Sequence, residues 1–162
     1  MNNTNAQTAI EDCERELEKI NHLIQGLGTM TPVTSYLSKY CLVKVCGTIE
    51  YCFKTIIADF YSVASPQLSC YLDKKIRQSS KNPSYNNICS LLKDFNEEWN
   101  HQFKNTIEHH PSKTRILTSL ESMNNNRNNF AHGQGCTPSF SDIQSQFSDA
   151  RIVINILDEV VQ

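Results

Sequence analysis

The run Asn124-Asn125-Asn126-Arg127-Asn128-Asn129-Phe130-Ala131-His132-Gly133 places a guanidinium five residues before an imidazole. Histidine takes and gives protons near neutral pH. Arginine is a permanent, forked cation that stabilises negative charge gathering on oxygen. Together they are a minimal set for acid–base chemistry on an anionic centre. Five of the six positions from 124 to 129 are asparagine, and each costs roughly half a kcal/mol against alanine inside a helix. Local conflict of this kind often marks a site. A second account stands beside it: the asparagines fray a helix end, Gly133 stops it, His132 caps the last carbonyls and Arg127 reaches solvent.

On a regular helix Arg127 and His132 are about 140° apart, whereas Asn128 and His132 share a face. The helix end is therefore expected to bend or unwind for the pair to act together. Glu50 either orients a motif side chain or pairs with Lys54 one turn on, and the ion pair is the favoured reading. Arg15 and His22 stand at a looser spacing, but fall opposite the apolar face of their helix and read as solvated. His101, His109 and His110 lack acidic or thiol partners and read as surface residues. Of the seven cysteines, most fall among apolar residues, and Cys41 and Cys46 are poorly spaced for zinc, so core thiols in a reducing cytosol are expected. No metal and no cofactor is called for. Tyr36, Tyr40, Tyr51, Phe53, Phe60 and Trp99 fall at helical spacing and are expected in the core. Tyr85 is expected free in a linker.

The elements that must position these residues are helices. Ile10, Cys13, Leu17, Ile20, Ile24 and Leu27 step by three and four from Thr8, with Gly26 and Gly28 as stops. Met30-Thr31-Pro32 opens a central core helix through Leu42, Val45, Cys46, Ile49, Phe53, Ile56, Ile57 and Phe60. Ser65-Pro66 caps a short third helix that ends before a polar, mobile linker from Gln78 to Pro83. A fourth helix follows Ser84 and runs through Ile88, Leu92, Phe95, Trp99 and Phe103 until His109-His110-Pro111 breaks it. A fifth, capped by Ser112, carries the motif, and a sixth starts after Pro138 with Ser139 and Asp142 as a capping pair. No strand pattern competes. The expectation is an all-α, antiparallel up-and-down bundle of five to six helices, a single domain over 1–162 with residues 1–7 disordered.

Fifteen Lys and Arg against seventeen Asp and Glu argue against a protein held on nucleic acid mainly by phosphate neutralisation, so any such contact is local. The polar start lacks a basic region followed by an apolar stretch, and no apolar run approaches membrane-span length. A cytoplasmic protein with no membrane partner is expected.

Arg127-Asn128-Asn129-Phe130-Ala131-His132-Gly133 resembles the motif of HEPN ribonuclease domains: Arg, a polar residue, then His after four to six positions, on a late helix of an all-helical chain with one further helix. Gly47-Thr48-Ile49-Glu50-Tyr51 and the run Ile88 through Trp99 are also similar to a prokaryotic HEPN subgroup found beside RiboL-PSP or as stand-alone toxins. The resemblance spans roughly Thr8 to Val161. Gln134 stands where some HEPN toxins carry a tyrosine that a partner nucleotidyltransferase modifies, so it lends that control no support.

The resemblance implies a metal-independent endoribonuclease. The RNA 2'-hydroxyl would attack its own phosphate, with His132 as acid or base and Arg127 on the phosphorane-like transition state. Asn128 would orient His132 or hold a phosphate oxygen, against the alternative that it is only solvated. One chain offers one such histidine, and two-fold pairing supplies a second, so a homodimer with a composite cleft is expected. A toxin or antiphage effector with an antitoxin or defence partner follows from the resemblance alone. The alternative is a non-catalytic HEPN module that binds nucleotide or RNA, or serves as the helical partner of a larger defence or toxin–antitoxin complex.

Overall fold

The computed structural model describes residues 1–28, 31–62, 64–135 and 138–162. Met30, expected at the opening of the second helix, and Cys136 lie outside the described residues. Helices α1 (Thr4–Leu27), α2 (Pro32–Ser62), α3 (Pro66–Leu72), α4 (Tyr85–Phe95), α5 (Glu97–Glu108), α6 (Lys113–Ala131) and α7 (Phe140–Val160) account for the architecture, with one π-helical turn at Asp73–Arg77 and no strand among the described residues.

The long helix α2 is the hub. It packs against α1, α6 and α7, and its register is readable from side chains. Cys52 lies against the Ala6 carbonyl while Tyr40 and Lys44 meet Glu16, so α1 and α2 are antiparallel. Cys46 meets the Met123 carbonyl and Lys39 lies over the Phe130 ring, so α2 and α6 are antiparallel too. Ile10, Leu42, Ile49, Phe53, Phe103, Ile116, Leu120 and Leu157 are sealed in one contiguous core. Each such side chain contributes roughly 1.5–3 kcal/mol against exposure.

Helix ends follow their sequence signals where those signals are local. Ser65 and Ser84 accept from the amides three residues on, and Pro66 sits in the first turn of α3. Ser139 and Asp142 form a reciprocal capping box on α7. Ser112 precedes α6 without a side-chain capping bond.

Two boundaries differ from expectation. The first residues are not loose: Asn3 caps α1, its amide donates to Asp158 at 3.0 Å, and residues 4–7 form the first helical turn. The expected fourth helix is two. Asn96 adopts an extended backbone (φ −158°, ψ 113°), ends α4, and caps α5 by accepting from Glu98 and Trp99. The apolar period of Leu92, Phe95, Trp99 and Phe103 runs through this corner, which hides it in the pattern. Trp99, edge-on to Phe60 with ring centres 4.8 Å apart, docks α5 on the end of α2.

The aromatics divide in an unexpected way. Phe53 and Trp99 are buried, but Tyr36, Tyr40, Tyr51 and Phe60 are exposed. Three of these lie on one stripe of α2 with Val43 and Gly47, spaced four, three, four and four residues apart, on the side its neighbours do not cover. Tyr85 is not in a linker. It opens α4, and one face of its ring stacks on Phe103.

Candidate functional site

The motif occupies the last two turns of α6. Its C-terminus is a Schellman closure: the Gly133 amide donates to the Phe130 carbonyl at 3.1 Å and the Gln134 amide to the Asn129 carbonyl at 2.8 Å. Gly133 sits at φ +71°, a conformation that glycine adopts without the cost of a Cβ. The closure makes His132 the C-cap, with its amide still bonded to the Asn128 carbonyl at 3.0 Å. The expected bend between Arg127 and His132 is therefore absent. The helix stays regular through Ala131 because the glycine satisfies the last carbonyls after the histidine, not before it.

Arg127 and His132 consequently have different surroundings. Arg127 is three-quarters covered. Its guanidinium donates to the Asn82 side-chain carbonyl and lies 3.9 Å from Glu50 Oε2. Glu50 Oε1 accepts from Lys54 Nζ at 2.5 Å and from the Lys81 amide at 3.0 Å. Glu50 thus pairs with Lys54 and faces Arg127. Lys54 is almost fully buried, and its ammonium also donates to the Ser79 carbonyl. Two cations and one carboxylate leave the cluster with an excess positive charge, the sign needed to draw a phosphate.

His132 is exposed, and no side-chain hydrogen bond engages its ring among the described residues. No hydrogen bond joins the ring to the Asn128 side chain among the described residues, and Asn128 Oδ1 instead accepts from Asn82 Nδ2 at 3.4 Å. Asn82 is the residue that sequence reasoning missed. It holds Arg127 through its carbonyl and Asn128 through its amide, and its own backbone carbonyl accepts from Asn87 Nδ2 at 2.8 Å. The segment from Gln78 to Pro83, expected to be mobile, is bonded on both sides: to α2 through Ser79 and Lys81, and to α6 through Asn82 and Pro83. Its polar composition was the available signal, since such a segment can also supply side chains to a site.

The remaining candidates are structural. Cys13, Cys41, Cys46, Cys52 and Cys89 are buried and Cys70 is exposed. Burial pushes the Cys46 thiol up to about 12, against the opposing pull of the nearby Arg127 charge, so it stays a protonated packing group. Arg15 is exposed and pairs with Asp12, and His22 is exposed. His110 accepts from the Ser112 amide and His109 bonds the Asn105 carbonyl, both closing the turn after α5. Among the described residues no three His, Cys, Asp or Glu side chains cluster as metal ligands. No helix among them is long and apolar enough to cross a membrane.

A family model described as RiboL-PSP-HEPN matches residues 8–162. No curated protein and no solved structure matches the chain.

Proposed function

The chain belongs to the RiboL-PSP-HEPN family, and we propose that it is a metal-independent endoribonuclease whose active unit is a homodimer. The observation that carries this reading is the anchoring of Arg127 by Glu50 and Asn82 on the same helix end that presents an exposed His132. Arg127 would bind the scissile phosphate and stabilise the charge that grows on its equatorial oxygens. His132 would move the protons, taking one from the 2'-hydroxyl or giving one to the departing 5'-oxygen. The bond formed is 2'-oxygen to phosphorus and the bond broken is phosphorus to 5'-oxygen, leaving a 2',3'-cyclic phosphate.

The motif of one chain offers one histidine, whereas the reaction uses an acid and a base. The uncovered stripe of Tyr36, Tyr40, Val43 and Tyr51 on α2 runs beside the motif, with Lys39 bridging the Tyr36 and Phe130 rings at 5.6 and 5.9 Å. A second copy packed there would bury this face and bring its own motif to the same cleft. Such an enzyme, acting on cellular or invading RNA, fits a toxin or antiphage effector held in check by a protein partner.

The test is digestion of end-labelled RNA in EDTA with analysis of product ends. Cleavage leaving cyclic phosphate, removed by Arg127→Ala and by His132→Ala, is expected. Unchanged cleavage by both variants sinks the proposal. A strict monomer at micromolar concentration that retains RNA without cutting it would make the chain a binding module, because each His132 would then act alone.

A further inference from the structure

Two asparagine-rich segments far apart in the sequence meet at the motif. Asn82, Asn86 and Asn87, around the start of α4, face Asn124, Asn125 and Asn128 of α6 across an open recess of about 370 Å3. That volume lies within the roughly 300–1,000 Å3 of small-molecule sites. Tyr85 and Leu117 give it apolar wall and Glu121 a carboxylate, while no lysine or arginine lines it. The recess adjoins the arginine site, since Asn82 both lines it and accepts from Arg127.

Asn124 fixes the wall of the recess where α6 meets the segment before α4. The residue is 5 % exposed. Both hydrogens of its amide are used, on the Pro83 carbonyl at 3.0 Å and the Leu120 carbonyl at 2.9 Å. Flipping the amide would set its oxygen against two carbonyls, so the orientation is fixed. These two bonds hold the Pro83 segment to α6, while its Oδ1 is sealed from the recess and has no partner among the described residues. Glu121 gives the recess acceptors and no donor.

We infer that this recess is a nucleobase subsite that takes the base of the RNA nucleotide whose phosphate sits at Arg127, favouring bases that carry an exocyclic amino group. The inference rests on the ribonuclease reading. A phosphate is disfavoured by the absence of cations and the presence of Glu121. A base edge suits carboxamides, which match its alternating donors and acceptors, and a carboxylate accepts from an exocyclic amine. Adenine, cytosine and guanine present that amine to Glu121, whereas uracil offers only an N3–H set between two carbonyl oxygens that the carboxylate repels. Three of the five motif asparagines thereby gain a role that the helix itself gives them no reason to have.

The experiment has two arms. In the first, a random-sequence RNA is cut by the purified protein and the cut sites are sequenced. An amino-bearing base on one flank is expected about tenfold or more over uracil, the discrimination of one good base-edge pairing. Glu121→Gln and Asn125→Leu, both at exposed positions and checked for unchanged thermal unfolding, are expected to pull cleavage at favoured steps down towards the uracil rate. Cutting without base preference, or a preference that neither variant alters, overturns the subsite and leaves the ribonuclease reading standing. In the second arm, AMP, CMP, GMP and UMP are titrated calorimetrically. Weaker binding of UMP, with the difference lost in the variants, upholds a base subsite even in a protein that cuts no RNA, and cleavage then fails alone. Equal binding of all four overturns the subsite. Selective binding of free nucleotides without selective cutting also overturns it, because the ligand is then not the RNA strand.

Discussion

Arg127 and His132 lie five residues apart on one helix, yet the fold treats them in opposite ways. Arg127 is fixed by groups from α2 and from the segment before α4: Glu50, Asn82 and the Lys54 pair behind them. His132 has a fixed backbone, through the Gly133 closure, and an exposed ring that no hydrogen bond engages among the described residues. The difference teaches that tertiary packing can fix one residue of a motif and leave its neighbour on the same helix to solvent. If the chain cuts RNA as proposed, α2 and the segment before α4 prepare the anion-binding half, and a second motif or a bound substrate would complete the proton-transfer half.

The sharpest way to break this contrast is to divide the residues between chains. Arg127→Ala and His132→Ala should each lower RNA cleavage by about 100-fold or more. Mixing wild-type protein with an excess of His132→Ala should lower cleavage beyond simple dilution, since a mixed dimer holds one His132 where the proposed reaction uses two. Activity in an end-labelled RNA assay that falls only in proportion to the wild-type share would mean that each chain acts alone.

Next in size is the support of Arg127. Glu50→Ala leaves the Lys54 ammonium buried without its carboxylate, and should cost about 3 kcal/mol in urea unfolding. His132→Ala, at an exposed position, should change stability by less than about 0.5 kcal/mol. Equal costs would erase the distinction between an anchored and an unanchored half. On the uncovered α2 stripe, Val43→Glu should turn a dimer into a monomer by light scattering, with cleavage lost and helical circular dichroism retained. A smaller effect tests the corner between α4 and α5: Asn96→Ala removes the α5 cap and should lower stability by about 1 kcal/mol, read as a drop in urea midpoint. The mildest concerns the thiols. A maleimide at pH 8 should label Cys70 well before Cys46, whose thiol burial holds at about 12.

What was legible in the sequence was what is decided within a few residues. Ser65-Pro66, Ser84, the Ser139–Asp142 box and Gly133 all act where the sequence says, because a cap bonds its own first or last turn. The corner at Asn96 was illegible because apolar spacing of three and four continues across it, and nothing local states that the axis turns. The exposure of Tyr36, Tyr40 and Tyr51 was illegible for another reason. The sequence of α2 records that it is apolar on several sides, but how many sides are covered depends on how many helices arrive. Asn82 lies 45 residues before Arg127 in a segment with no periodicity, so its grip on the guanidinium exists only once α2, α4 and α6 have been brought together. The pairing of Glu50 with Lys54 was legible at a spacing of four, while its approach to Arg127 was a matter of tertiary register.

The closure at Gly133 has one more consequence, in thermodynamic linkage. It fixes the His132 backbone while leaving the ring free to sample rotamers, so whatever first engages that ring bears an ordering cost of roughly 0.5–1.5 kcal/mol. A second binder then meets a ring already ordered. If the chain pairs and binds RNA as proposed, the two events are coupled without either moving the helix: each would tighten the other, by the same factor in both directions.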